Sequence, residues 1–214
     1  FPFPLYSSWF KDFSKQTQGV TVDYQAKGSG AGIQDFINNT VDFAASDAAM
    51  ADEEIAKVKQ GAVLLPMTAG EIVLSYNLEG VKELKLPREV YIDIFSGKIT
   101  KWNDPKIAAA NPGVKLPDQN ITVVARSDSS GTTYVFTGHL SAVSEEFKKT
   151  IGHGTTVQWP TSFVKAPKND GVTATIKQTP GAIGYIEYTY AMATKQPMAT
   201  LQNKAGHFVS AGDK

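Results

Sequence analysis

Apolar and polar residues alternate along this chain in two periods, and the switches between them divide it into elements. Leu5, Trp9, Phe10 and Phe13 recur at helical spacing, which predicts a helix over residues 5–14. Val20-Thr21-Val22-Asp23-Tyr24 alternates with a period of two, the pattern of a strand. A glycine-rich stretch, Gly28-Ser29-Gly30-Ala31-Gly32, then opens a helix predicted over 33–40. The apolar run 41–46 predicts a short buried strand that delivers Asp47 at its C-terminal end. Residues 52–60 read as a helix capped by Asp52 and stopped by Gly61. Runs 62–67 and 71–76 are strand-like, separated by Thr68-Ala69-Gly70. Alternation of this kind predicts a mostly parallel sheet.

From Leu86 the texture changes. Pro87 sits at the first turn of a helix predicted over 87–95, where its missing N–H is harmless. A turn-rich segment over 96–103 leads to a helix over 104–111, ended by Pro112-Gly113. A strand is predicted at 121–125, helices at 134–143 and 170–178, and a buried strand at 181–186. Residues 147–169 are punctuated by glycine and proline and take no assignment. There is no repeat of fixed period, and the best boundary between two lobes falls at residues 76–78.

The densest chemistry lies between the predicted strand 121–125 and the helix after it, in Arg126-Ser127-Asp128-Ser129-Ser130-Gly131-Thr132-Thr133. A cation, a carboxylate able to lock it, and hydroxyls at a helix start are donors suited to a small oxyanion. The loop at Gly28, Ser29 and Gly30 repeats the logic. Serine and threonine are also ordinary helix caps, but three glycines in five residues point to a backbone brought close to something. The loop lacks the Gly-Lys-Ser/Thr ending of a P-loop, and Ile33 occupies the third glycine position of the dinucleotide fingerprint. Asp47 at a strand end is where open α/β sheets bind ligands, although a lone aspartate there is more often a cap or a solvated residue.

Composition narrows the classes. With 21 Lys+Arg against 21 Asp+Glu in 214 residues, the formal charge is zero, which argues against nucleic acid as a partner. There is no cysteine, so thiolate metal sites and cysteine nucleophiles are excluded. The three histidines, His139, His153 and His207, lack metal spacing, and none can be assigned as a base to Ser130. No cofactor and no metal are expected. No run reaches the length of a membrane span, and the start at Phe1-Pro2-Phe3-Pro4 reads as processed or trimmed.

Taken together, these segments resemble the periplasmic phosphate-binding protein of the bacterial high-affinity phosphate ABC transporter. The pieces that carry the likeness are Phe1-Pro2 with Trp9, Tyr24-Gln25 through Gly32, and Thr40-Val41-Asp42-Phe43-Ala44-Ala45-Ser46-Asp47. Gly97-Lys98-Ile99 with Lys101-Trp102-Asn103-Asp104, Arg126 through Phe136, and Pro180 through Tyr185 with Glu187-Tyr188 complete them. The likeness runs from Phe1 to about Tyr190.

The resemblance implies an α/β, two-lobed periplasmic-binding-protein (venus-flytrap) architecture, with mixed sheets flanked by helices. Residues 1–76 would be the N-terminal part of lobe I and residues 77–214 lobe II. It implies inorganic phosphate held between the lobes by Phe1 (backbone N–H), Ser29 (hydroxyl and N–H), Asp47, Arg126, Ser130, Gly131 and Thr132. Asp47 would accept the phosphate proton, Asp128 would orient Arg126, and Gly28 and Gly30 would lie just behind the contacts. Sulfate, which has no proton, would leave Asp47 facing a second negative group. The implied partners are the membrane permease subunits of an ABC transporter. The implied setting is a monomer in the periplasm or another extracytoplasmic space, with or without a lipid anchor, and without catalysis. Against the family, a short leader before Phe1 and the C-terminal part of the first lobe are missing, so the expectation is a fragment with a free amino group at Phe1. The competing readings are an enzyme of phosphoryl chemistry such as a phosphatase, a binding protein for another oxyanion such as molybdate or sulfate, and an adhesion or signalling role.

Overall fold

A computed structural model describes residues 1–212. The N-terminal third carries helices α1 (Phe3–Gln16), α2 (Ser29–Ile37) and α3 (Asp52–Ile55). There follow β1 (Ile72–Tyr76), β2 (Lys85–Leu86), α4 (Arg88–Phe95), α5 (Pro105–Ala110), β3 (Thr122–Arg126), α6 (Gly131–Val143) and α7 (Glu145–Thr150). The chain continues through β4 (Val164–Ala166), α8 (Lys168–Gln178), β5 (Ala182–Glu187), α9 (Tyr188–Thr194), β6 (Thr200–Gln202) and β7 (Phe208–Val209).

The main sheet has the order β1-β5-β3-β4, with β5 antiparallel to β1 and parallel to β3. Successive residues of a strand point to opposite faces, and here both faces are covered. Leu74, Tyr76, Val123, Ala125, Ile183 and Tyr185 face a core filled by α4, Trp102, Ile107 and, from α6, Phe136 and Leu140. Val73, Val124, Ala182 and Ile186 face α8 and α9 through Val172, Ile176 and Ala191. A strand buried on both faces should read as a continuous apolar run, and all of β5 is buried. Its Gly184 is the one small residue needed: a Cβ there would fall 2.9 Å from Val124 O and from Ile176 Cδ1. Trp102 is fully buried and its indole N–H donates to Gly181 O at 2.9 Å. Strands β2, β6 and β7 form a small separate sheet.

The expected strands at 71–76, 121–125 and 181–186 appear as β1, β3 and β5, each displaced by at most one residue. The expected strands at 20–24, 41–46 and 62–67 do not form; those stretches have no ladder partner among the described residues. Their apolar side chains stand in solvent, with Val63 80 % and Leu65 71 % exposed. A parallel sheet in the first third is therefore corrected to extended chain between helices. The helix expected over 52–60 stops at Ile55, and its N-cap position is Ala51, not Asp52. The helix after the glycine loop begins at Ser29, inside the loop, so its first N–H groups belong to the loop itself. Strand β1 pairs with β5, so the main sheet reaches across residue 76 into the segment before it. No helix among the described residues is long and apolar enough to cross a membrane.

Candidate anion-binding site

Two segments distant in sequence meet at the start of α6. Ser130 is the N-cap of α6, with Oγ accepting from Thr133 N–H at 3.1 Å. The first N–H groups of a helix have no intrahelical acceptor, so Gly131 and Thr132 present donors at this end, reinforced by the helix dipole. Facing them is the start of α2. Gly28 has φ 92, a conformation that favours glycine, and it turns the chain so that Ser29 opens the helix. Gly30 N–H donates to Ser129 O at 3.3 Å, tying the two loops together.

Asp47 joins them from the third segment. Its backbone N–H donates to Ser29 Oγ at 3.1 Å, and its carboxylate lies 3.5 Å from the α-amino group of Phe1. A Cβ on Gly131 would sit 2.6 Å from Asp47 Oδ2 and closer still to Ser29 Oγ, so only glycine permits this approach. Burial pushes the Asp47 carboxyl above its ordinary value; the Phe1 ammonium and Arg126 pull the other way and do not overcome it. Burial likewise lowers the Phe1 amino group, against the pull of Asp47. Both partners are thus pushed toward their neutral forms.

Arg126, at the C-terminal end of β3, has its side chain only 4 % exposed. Nε donates to Asp128 Oδ1 at 2.8 Å and Nη2 to Asp128 Oδ2 at 2.6 Å, a two-point clamp that fixes the guanidinium plane. Nη1 is buried and has no hydrogen-bond partner among the described residues. Burial alone would raise Asp128, but hydrogen bonds from Arg126 and from Lys168 N–H outweigh it and hold the carboxyl below its usual range. Behind the arginine, Tyr185 OH accepts from Arg126 N–H at 3.0 Å and lies 2.8 Å from Thr133 Oγ1. Burial pushes the Tyr185 phenol up to about 12, so it stays neutral.

The structure thus brings Phe1, Ser29, Asp47, Arg126, Ser130, Gly131 and Thr132 to one place, with Asp128, Gly28 and Gly30 behind them. Phe1, Ser29, Asp47, Arg126 and Asn169 line a cleft of about 1420 Å³. Two details differ from expectation. Ser130 N–H donates to Thr155 O at 2.8 Å and is not free for a ligand, leaving the hydroxyl proton as its donor. Asp47 follows extended chain, not a strand. Reading the sequence missed Asn169, Tyr185 and Lys168. Tyr185 stood within a recognised motif without a role, whereas Lys168 and Asn169 end the stretch 147–169, whose pattern gave no element. Among the described residues no group of three or more His, Cys, Asp or Glu is placed to hold a metal.

Comparison with known proteins shows what the chain is similar to. A family model described as a PBP superfamily domain matches residues 1–213. A phosphate-binding protein, PstS, of Pasteurella multocida is 47 % identical over 211 residues, covering 98 % of this chain and 60 % of that protein. The solved structure of a phosphate-binding protein from Stenotrophomonas maltophilia superposes with a TM-score of 0.67 at 20 % identity, over 91 % of this chain and 62 % of that one. An ABC-type phosphate transport receptor from Vibrio cholerae gives 0.59 at 17 % identity, over 95 % and 74 %. The chain spans about three fifths of the length of the curated relatives it matches.

Proposed function

The chain belongs to the PBP superfamily, and from that premise we propose that it binds inorganic phosphate between two lobes and takes part in phosphate uptake without chemical turnover. The lobes in this reading are residues 1–76 and 77–214, with β1 at the crossing. The observation that carries the reading is Arg126, which lines the cleft: a buried guanidinium clamped on two nitrogens by Asp128, with Nη1 buried and unpartnered among the described residues. A buried cationic donor without a partner costs free energy until an acceptor arrives, and an oxyanion supplies one.

Phosphate near neutral pH keeps at least one proton, and Asp47 is the acceptor for it. Ser29, Ser130 and Thr132 hydroxyls, the N–H groups at the starts of α2 and α6, and Arg126 meet the remaining oxygens. Charge is dispersed over neutral dipoles rather than cancelled one for one. Sulfate offers Asp47 no proton, and a buried carboxylate against an unprotonated oxygen is repulsive. A hydrolase reading needs a nucleophile with a base beside it, and the Ser130 oxygen accepts from Thr133 N–H, with no histidine bonded to it among the described residues. In the same reading the holder is a periplasmic monomer, and the loaded lobes present their surface to the permease of an ABC transporter. Calorimetric titration of ligand-stripped protein with phosphate tests the proposal. Saturable one-to-one binding, lost in Arg126→Ala, is the expected result; no heat of binding, or hydrolysis of p-nitrophenyl phosphate, overturns it.

A further inference from the structure

Resting on that reading, we infer that Asn169 is a positioning residue that fixes the Thr132 hydroxyl as a proton donor toward the ligand. Asn169 sits at the start of α8 and is 4 % exposed. Glu187 N–H points at its side chain, 3.0 Å from Oδ1. A backbone N–H can only donate, so the atom facing it is the amide oxygen, and this settles which way the amide lies. The amide nitrogen then necessarily faces Thr132, and Nδ2 donates to Thr132 Oγ1 at 3.3 Å.

The consequence falls on the threonine. Its oxygen already accepts a hydrogen bond, so its single proton is directed elsewhere. A threonine in a helix commonly donates back to a carbonyl of the preceding turn, as Thr137 of the same helix does to Thr133 O at 2.7 Å. Among the described residues Thr132 makes no such bond, and its residue is 3 % exposed. The same polarity is set at two more hydroxyls. Ser29 Oγ accepts from Asp47 N–H and Ser130 Oγ from Thr133 N–H. Three hydroxyls at the facing starts of α2 and α6 therefore each take an N–H and have their own proton left over. At Ser29 and Ser130 the polarising donor is backbone, which no substitution but proline removes; at Thr132 it is a side chain. Asn169 is therefore where this device can be changed without disturbing the backbone.

The start of α8 has a second hold on the site. Lys168, with φ 57, donates its N–H to Asp128 Oδ1 at 3.0 Å. Adjacent residues thus brace the arginine clamp and the threonine hydroxyl, and the charged and neutral donors of the site are set from one turn.

Asn169→Asp tests this with little change of shape. The carboxylate still accepts from Glu187 N–H, but toward Thr132 it can only accept, so it turns the hydroxyl proton away from the ligand. Phosphate affinity should fall about tenfold at neutral pH, the weight of one hydrogen bond to a charged group. Lowering the pH protonates the buried aspartate, restores a donor toward Thr132, and should bring the ratio of parent to variant affinity back toward one. In a Thr132→Val background the same change should cost about twofold or less, since no hydroxyl is left to misdirect. Asn169→Ala, measured beside it, releases the hydroxyl without reversing it and should cost less than the aspartate does. If Asn169→Asp does not fold, the alanine variant carries the test: its loss must vanish in the Thr132→Val background. Undiminished binding in Asn169→Asp, or an equal loss with and without the Thr132 hydroxyl, overturns the inference, the latter marking simple charge repulsion. A parent protein that binds no phosphate instead removes the functional reading on which the inference rests.

Discussion

Residues 20–24 and β3 are both short runs rich in valine and threonine that lead into a glycine- or serine-rich loop, yet only one of them is a strand. Strand β3 lies between β5 and β4, so both edges of its backbone are paired and both faces are covered. The earlier stretch has helices nearby but no neighbouring strand, and Val20 is 43 % exposed where Val124 is fully buried. The contrast extends to whole regions. From residue 72 onward Tyr76, Leu84, Ile94, Trp102, Leu140 and Ile183 are all within 1 % of complete burial, whereas before it Phe43, Leu64, Leu65 and Met67 are exposed. A period of two reports an extended backbone with one apolar face. A strand additionally needs a partner edge, and that information lies elsewhere in the chain.

The two regions nevertheless meet at full precision in the site, because contact there depends on close approach of loops and not on sheet pairing. Gly28, Gly30 and Gly131 allow backbone and carboxylate to come within touching distance. The Gly30–Ser129 and Asp47–Ser29 hydrogen bonds then hold the first region to its own loop and to the second.

If stability resides in the second region, breaking its core should be costly. Ile183→Ala in β5 is expected to cost about 2–5 kcal/mol in chemical unfolding, as for other fully buried aliphatic truncations. A small loss would mean that the core is looser than its burial. Next in size, Arg126→Ala should weaken phosphate binding at least tenfold by calorimetry, as one charge-assisted contact and its pre-set geometry disappear. A loss of less than about threefold would make the arginine peripheral to the cleft.

Asp47 joins the two regions and gives a pH signature. Its folded value is raised above the ordinary 3.8, mainly by burial. The folded, ligand-free protein therefore binds the proton more tightly than the unfolded chain does, and stability falls as pH rises through the raised value. The stability is fully present below the unfolded value, where both states are protonated, and is lost between the two values. Asp47→Asn should remove this part of the slope in a series of thermal midpoints; a parent and variant with parallel profiles would show that the carboxyl does not titrate in this way. The smallest effect is expected at the exposed face of the first region. Leu65→Ser should change stability by less than about 0.5 kcal/mol, and a larger loss would show that the face is covered in solution.

Much of the second region could be read from the chain because its elements are locally self-consistent. Proline at residue 87 begins a helix, a fully apolar run makes β5, and Asp104 caps α5 by accepting from Lys106 N–H. The candidate site could be read as a set of residue types, the donors Ser29, Arg126 and Ser130 through Thr132 and the acceptor Asp47, each beside a turn or helix start. What could not be read is what long-range packing decides. Nothing around Asn169 announces that its amide will bridge Glu187 and Thr132, 18 and 37 positions away. The same holds for Tyr185, whose phenol supports Arg126 across 59 positions. The short strands β2, β6 and β7 exist only through one another, and after Ile55 the α3 bonds give way to i→i+3 turns at Lys57 and Val58, well before Gly61.

The most direct measurement is a competition titration: ligand-stripped protein titrated with phosphate near neutral pH, alone and in a large excess of sulfate. Ser29, Arg126, Ser130 and Thr132 would serve either anion, and Asp47 alone distinguishes them by the proton. The account predicts the same phosphate affinity in both titrations in the parent, and a weakened apparent affinity under sulfate in Asp47→Asn. Displacement of phosphate by sulfate in the parent would contradict it.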